Sequence, residues 1–137
     1  MRGHTIKPCA QAVVGVLLAV SVMVEPVLAD SHASNQLAFT KGKFAVPIDP
    51  DAVKADWTAR GYSNPKVNYY APGWSKGEHT HPVHIIVTMI VGRMEFIIAG
   101  QRFVVEPGDE LLYPAHAVHS ARNLHDGASH MMESSKR

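Results

Sequence analysis

The sequence predicts an all-β domain, a barrel or sandwich, with one short helix and a cleaved N-terminal signal peptide. Three observations predict it. From Val67 onward, short apolar runs are separated by Gly and Pro at even spacing, as in closed or stacked antiparallel sheets. One segment, 49–61, carries helix start and stop signals. An apolar run of thirteen, Ala12 to Val24, follows a polar start bearing Arg2 and Lys7 but no acid.

That run is short for a membrane span, which needs about 20 residues. Val27 and Ala29 satisfy the small-residue rule of a signal-peptidase site, so residues 1–29 read as an export signal cut after Ala29. The expected location is the periplasm or outside the cell. The mature chain of 108 residues then has no cysteine, because Cys9 leaves with the signal. No disulfide can staple it, and no thiolate can bind metal or attack a substrate. Eleven Lys and Arg balance eleven Asp and Glu in the mature chain, with no basic block. That excludes nucleic acid and an anionic membrane surface as expected partners. A domain of this size buries roughly 60–70% of its unfolded surface. Metal binding or dimerisation can therefore add materially to its stability.

Four segments are expected: the signal at 1–29, N-terminal strands and the helix at 30–66, a barrel core at 67–125, and a last strand with a polar tail at 126–137. In order, strands are expected at 37–40 and 44–46 about a Lys41-Gly42-Lys43 turn. Asp49 suits a helix N-cap, Pro50 the first helical position and Gly61 the position after the end. Val53 and Trp57, four apart, share a helix face, which makes Trp57 a packing anchor. Further strands are expected at 67–70, 84–91, 94–99, 102–105, 110–113, 119–123 and 129–132. Tyr69, Tyr70, Met89, Met94, Phe96 and Phe103 are expected in the core or a pocket wall. Glu106 and Glu110 read as structural acids, and Glu78 as a solvated one.

The chemical signal is the histidine clustering. Five of nine histidines fall between positions 79 and 119. His79 and His81 stand at i, i+2, which in a strand share one face. Neutral imidazole is the commonest metal ligand. His84, in a regular strand from His79, would face the other way. A bulge at Pro82 would instead turn it inward.

The chain here resembles the cupin superfamily of small jelly-roll barrels. Gly73, His79, His81 and Gly92 match its first motif in spacing. Gly108, Pro114, His119 and Asn123 match its second, with fifteen residues between Gly92 and Gly108. The resemblance implies a cupin jelly-roll and a metal on His79, His81 and His119. Two positions depart from the pattern. The motif glutamate falls at Ile85 or Ile86, and the P-x-G glycine is His116. His84 or His116 is a candidate replacement ligand. His116, at the barrel mouth, is also a candidate general base, and a solvent-facing loop residue is its bland reading. Trp74, in the loop before the ligands, is the expected substrate-binding ring. Asn123 is expected to fix a strand end. His125 and His130 read as surface residues.

A shell of neutral imidazoles favours one divalent transition metal, Fe(II) first, with Zn, Ni or Cu as alternatives. The expected function is a metal-dependent enzyme of the small-molecule dioxygenase type. The alternatives are a non-catalytic small-ligand or metal-binding module, and a degenerate barrel that has lost its metal. By the same resemblance, a homodimer through the N-terminal strands is expected.

Overall fold

The computed structural model describes residues 36–137, so the signal peptide and its cleavage site lie outside the described residues. The order is β1 (Ala38–Thr40), α1 (Pro50–Ala59), β2 (Ser63–Tyr70), β3 (Ser75–His79), β4 (His84–Val91), β5 (Met94–Ile98), β6 (Gln101–Val105), β7 (Glu110–Tyr113), β8 (His119–Asn123) and β9 (Ser129–Lys136). The strands form a five-stranded sheet, β1-β7-β4-β9-β2, and a four-stranded sheet, β3-β8-β5-β6. Every strand pairing within them is antiparallel. This is the expected all-β jelly-roll with one short helix.

Side-chain alternation sorts the apolar residues onto two faces of the larger sheet. Ile85, Val87, Met89, Leu111, Tyr113 and Met131 face the barrel interior, where they meet Met94, Phe96 and Ile98 of the smaller sheet. Ile86, Leu112 and Met132 face outward and are covered by Val53 and Trp57 of α1 and by Tyr62. This explains why β4 reads as nearly continuous apolar sequence: both of its faces are covered.

The helix begins as its sequence dictates. The Asp49 side chain accepts from the Asp51 N–H and Pro50 occupies the first turn. Its seat on the sheet is polar at the centre. Glu110 is buried, yet its carboxylate accepts from Trp57 Nε1 at 3.0 Å and from both Arg60 guanidinium nitrogens at 2.9 Å. A buried carboxylate survives only with such partners. Trp57 is therefore both a packing anchor and a hydrogen-bond donor.

Several expectations are corrected. Residues 44–46 form no strand. Phe44 instead packs against the outer cluster and donates its N–H to the Gly108 carbonyl. β2 begins earlier than position 67, and β9 runs past 132 to Lys136, because β9 pairs along its length with both β2 and β4. A strand was not expected at β3, whose polar sequence pairs with β8 alone. Tyr69 is not a wall residue: it is 70% exposed and lies edge-on against the His130 ring.

Two motif glycines are required by close approach. Gly92 lies at φ +90°, and a Cβ there would sit 2.1 Å from Ser129 Oγ. Gly108 lies at φ +91°, with the Phe44 carbonyl oxygen 2.6 Å from where a Cβ would stand.

Glu110→Ala should destabilise the domain by about 3–5 kcal/mol, because Arg60 and Trp57 Nε1 lose their buried acceptor. A chemical denaturation midpoint measures this, and a change below about 1 kcal/mol contradicts the buried-network reading.

Candidate metal centre

Three imidazoles converge on one wall of the barrel. His79 ends β3 and lies in register opposite His119, the first residue of β8. His81 reaches the same place from the loop that follows β3. Their ring centroids are 4.2 Å apart for His79 and His119, and 5.0 Å for His81 with each of the others. One nitrogen from each lies within 4.8 Å of the other two.

The route differs from the expected one. His79 and His81 do not share a regular strand; the strand stops at His79. Instead a register shift between Lys76 and His79 lets both of those residues line the same cavity despite their odd spacing.

Each strand-borne imidazole is oriented by a carbonyl two residues earlier. His79 Nδ1 is 2.8 Å from the Gly77 oxygen, and His119 Nδ1 is 2.9 Å from the Ala117 oxygen. A carbonyl only accepts, so each Nδ1 carries the proton and each Nε2 keeps its lone pair. This is the outer hydrogen bonding that metal-bound histidines use to fix tautomer and ring direction. Burial pushes His81 and His119 below the ordinary imidazole range, assisted by the neighbouring imidazoles, while the Ala117 carbonyl opposes the shift at His119. Both are therefore held neutral, the form that binds metal. Metal–nitrogen bonds run near 2.0–2.1 Å. Three imidazole nitrogens grouped this closely, two of them on rings oriented by backbone carbonyls, fit a divalent transition metal.

The group opens onto a cavity of about 220 Å³ between the two sheets. Trp74, Met94, Phe96 and Met131 give it apolar walls, and Trp74 lies edge-on against Tyr70 at 4.5 Å. Trp74 lies in the loop before β3 and lines the cavity. Tyr113 is a buried wall residue whose ring centroid is 4.7 Å from that of His119, and desolvation drives its phenol far above the usual range. Lys66, Lys76, Asn68 and Glu133 supply polar groups. Glu133 was not singled out in the sequence. The strand expected at 129–132 stops just short of it, whereas β9 runs on to Lys136.

His84 and His116 are outside the three-imidazole group. His84 opens β4 in the larger sheet, and its Nδ1 accepts the Ala115 N–H at 3.1 Å. The segment around Pro82 leaves His84 facing the 114–118 loop rather than the other imidazoles. His116 is exposed at φ +65° and does not line the cavity. Its backbone N–H donates to the His81 carbonyl at 2.7 Å. Both histidines thus hold the loop that delivers His119.

Residues 67–134 match the family model described as the cupin domain. No curated protein matches the sequence. Among solved structures, salicylate 1,2-dioxygenase from Pseudaminobacter salicylatoxidans aligns at 21% identity and TM-score 0.49, covering 52% of this chain and 21% of that one. The DMSP lyase DddQ from Ruegeria pomeroyi aligns at 24% and 0.49, covering 53% and 37%. The Cnp3 cupin domain of Schizosaccharomyces pombe aligns at 14% and 0.49, covering 52% and 53%. The alignment thus spans about a fifth of the dioxygenase chain and about half or less of the other two.

Two substitutions separate loop support from ligation. His84→Ala should leave metal content unchanged and cost about 1 kcal/mol, the worth of one hydrogen bond to a loop N–H. His116→Gly should also keep the metal and should raise stability by about 1 kcal/mol, since the left-handed backbone strains any residue with a Cβ. Elemental analysis and thermal melts read both, and loss of metal from either variant contradicts the geometry.

Proposed function

The chain carries a cupin domain, and from that premise we propose an exported, metal-binding protein that acts as a small-molecule dioxygenase-type enzyme. The site is His79, His81 and His119, and the favoured metal is Fe(II), with Zn, Ni or Cu as alternatives. One observation carries the catalytic reading. Three imidazoles are grouped beside a cavity, and neither His84 nor His116 joins them as a fourth. Structural metal sites are filled by four protein ligands, whereas catalytic ones keep a position open. A bound divalent ion supplies Lewis acidity at that open face, and iron adds chemistry with O₂.

The chain's own residues do the rest. Gly77 and Ala117 hold the rings of His79 and His119 in direction through their carbonyls. Trp74, Met94 and Phe96 present apolar surface to a small organic ligand and limit water at the site. The signal-like residues 1–29 support export to the periplasm or beyond. Exposed β1, at the edge of the larger sheet, supports pairing of two copies. No nucleic-acid partner is proposed for a chain with this charge balance.

Elemental mass spectrometry of the untagged protein tests the reading. About one equivalent of Fe, Zn, Ni or Cu is expected. His79→Ala, His81→Ala and His119→Ala should each lose metal and lower Tm together, since a ligand that binds only the folded state stabilises it. Full metal content in all three variants overturns the site. Less than a tenth of an equivalent, unchanged after incubation with each metal, favours a metal-free binding barrel instead.

A further inference from the structure

The wall facing the imidazoles holds a carboxylate. Glu133 lies on β9, in register with Val87 of β4 and Lys66 of β2. Its neighbour Met132 packs in the outer cluster and Met131 in the inner core. Alternation therefore turns Glu133 inward with Met131. It lines the cavity together with all three imidazoles. With His81 and Ile85 it also borders a second opening of the barrel.

The charges of this cavity are unequal. Lys66 and Lys76 both line it, and Glu133 is the one acid that does so among the described residues. The imidazoles are neutral when they bind metal. A divalent cation at the group would thus face two ammonium groups and a single compensating carboxylate, in a partly desolvated space where charge interactions are strong. The Glu133 carboxylate is loosely engaged. Lys66 Nζ is 3.2 Å away but its side chain is 62% exposed, and Asn68 Nδ2 stands at 3.3 Å. Ile85 pairs with Ser135, two residues beyond Glu133 on the adjacent strand. Such diagonal positions lie within reach of a long side chain. An acid on β9 can therefore serve the region where β4 offers only the apolar Ile85.

We propose that Glu133 supplies the negative charge of the metal centre, acting across the cavity on a cation that competes with Lys66 for its carboxylate. This rests on the three-histidine site proposed above. A plain strut between β2 and β9 is the rival role for the same ion pair. The two roles differ in what Lys66 does. If the pair is a strut, removing either partner lowers stability and leaves metal affinity alone. If Glu133 serves the cation, removing Lys66 frees the carboxylate and tightens binding.

Titration of the full chain with Co²⁺, followed by visible absorption, separates them, with circular dichroism and Tm as controls for folding. Glu133→Gln keeps the shape and removes the charge. It should weaken Co²⁺ at least about tenfold, the scale on which groups around a metal's ligands act. Lys66→Gln should tighten Co²⁺ by about threefold, the opposite direction. His79→Ala serves as the reference for loss of the site. Unchanged affinity in both Glu133→Gln and Lys66→Gln, with His79→Ala defective, overturns the proposal and leaves the three-histidine site standing. Weakening in both overturns it as well, since removing an ammonium that engages the carboxylate cannot weaken a cation that Glu133 serves. Unchanged affinity in all three variants overturns the three-histidine site and this proposal together.

Discussion

The side chain of Asn123 fixes the end of β8, and the site depends on where β8 lies. Its amide nitrogen donates to the carbonyls of Tyr70, Ala71 and Gly127, and its oxygen accepts from the His125 N–H and the Ser129 hydroxyl. These partners come from the end of β2, the turn after β8 and the start of β9. One buried amide thereby ties both sheets together at one end of the barrel. Backbone bonds extend the knot: the Asn123 N–H donates to Trp74 and the Leu124 N–H to Arg93. Ser129 in turn caps the Arg93 N–H beside Gly92, which admits it only because it lacks a Cβ. With that end fixed, strand pairing sets His119 opposite His79 at the other end of β8. A buried polar network of this kind specifies one register, because any slip strands several groups without partners.

Charge is placed by the same economy. Deeply buried acids each have strong donors: Glu110 has Arg60 and Trp57, Glu95 has Arg102 and Arg122, and Asp109 has Lys41 with two backbone N–H groups. The two arginines hold the Glu95 carboxyl below its usual range against the cost of burial. All three clusters lie away from the imidazole cavity and do structural work. Glu133 differs from them. It is less buried, its partners are a half-exposed lysine and a distant amide, and it faces the cavity.

Much of this was legible in the sequence because the turns are chemically marked. Gly92, Gly108 and Asn123 sit where spacing and turn chemistry put them, and α1 starts at its capping aspartate. The three imidazoles were legible as a set through the motif spacing that links His119 to His79 and His81. The path to that set was hidden. A bulge leaves no mark in a segment as polar as Ser75–His79, and β3 buries too little apolar surface to show a period. The 44–46 segment read as a strand on composition, yet its partner is a turn glycine and the helix, not a neighbouring strand. Glu133 was missed for a related reason. In Ser129–Lys136 the inward and outward faces both mix polar and apolar residues, so alternation carries no hydrophobic signal there.

The two departures from the motif pattern have separate physical consequences. His116 takes a left-handed backbone that suits glycine, and the loop tolerates it because its geometry is over-determined. The His116 N–H is held by the His81 carbonyl, the Ala115 N–H by His84, and the Ala117 N–H by the Pro114 carbonyl. Strain of order 1–3 kcal/mol persists where surrounding bonds leave no alternative. The loop's rigidity is what the site uses, since the Ala117 carbonyl orients His119. Ile85 costs nothing in packing, for it sits 4% exposed in the inner core. Its consequence is electrostatic. An apolar residue there means that β4 presents no acid toward the three-imidazole group. The one carboxylate among the described residues that faces this cavity is on β9. The cavity thus has three imidazoles on one wall and a carboxylate on the other.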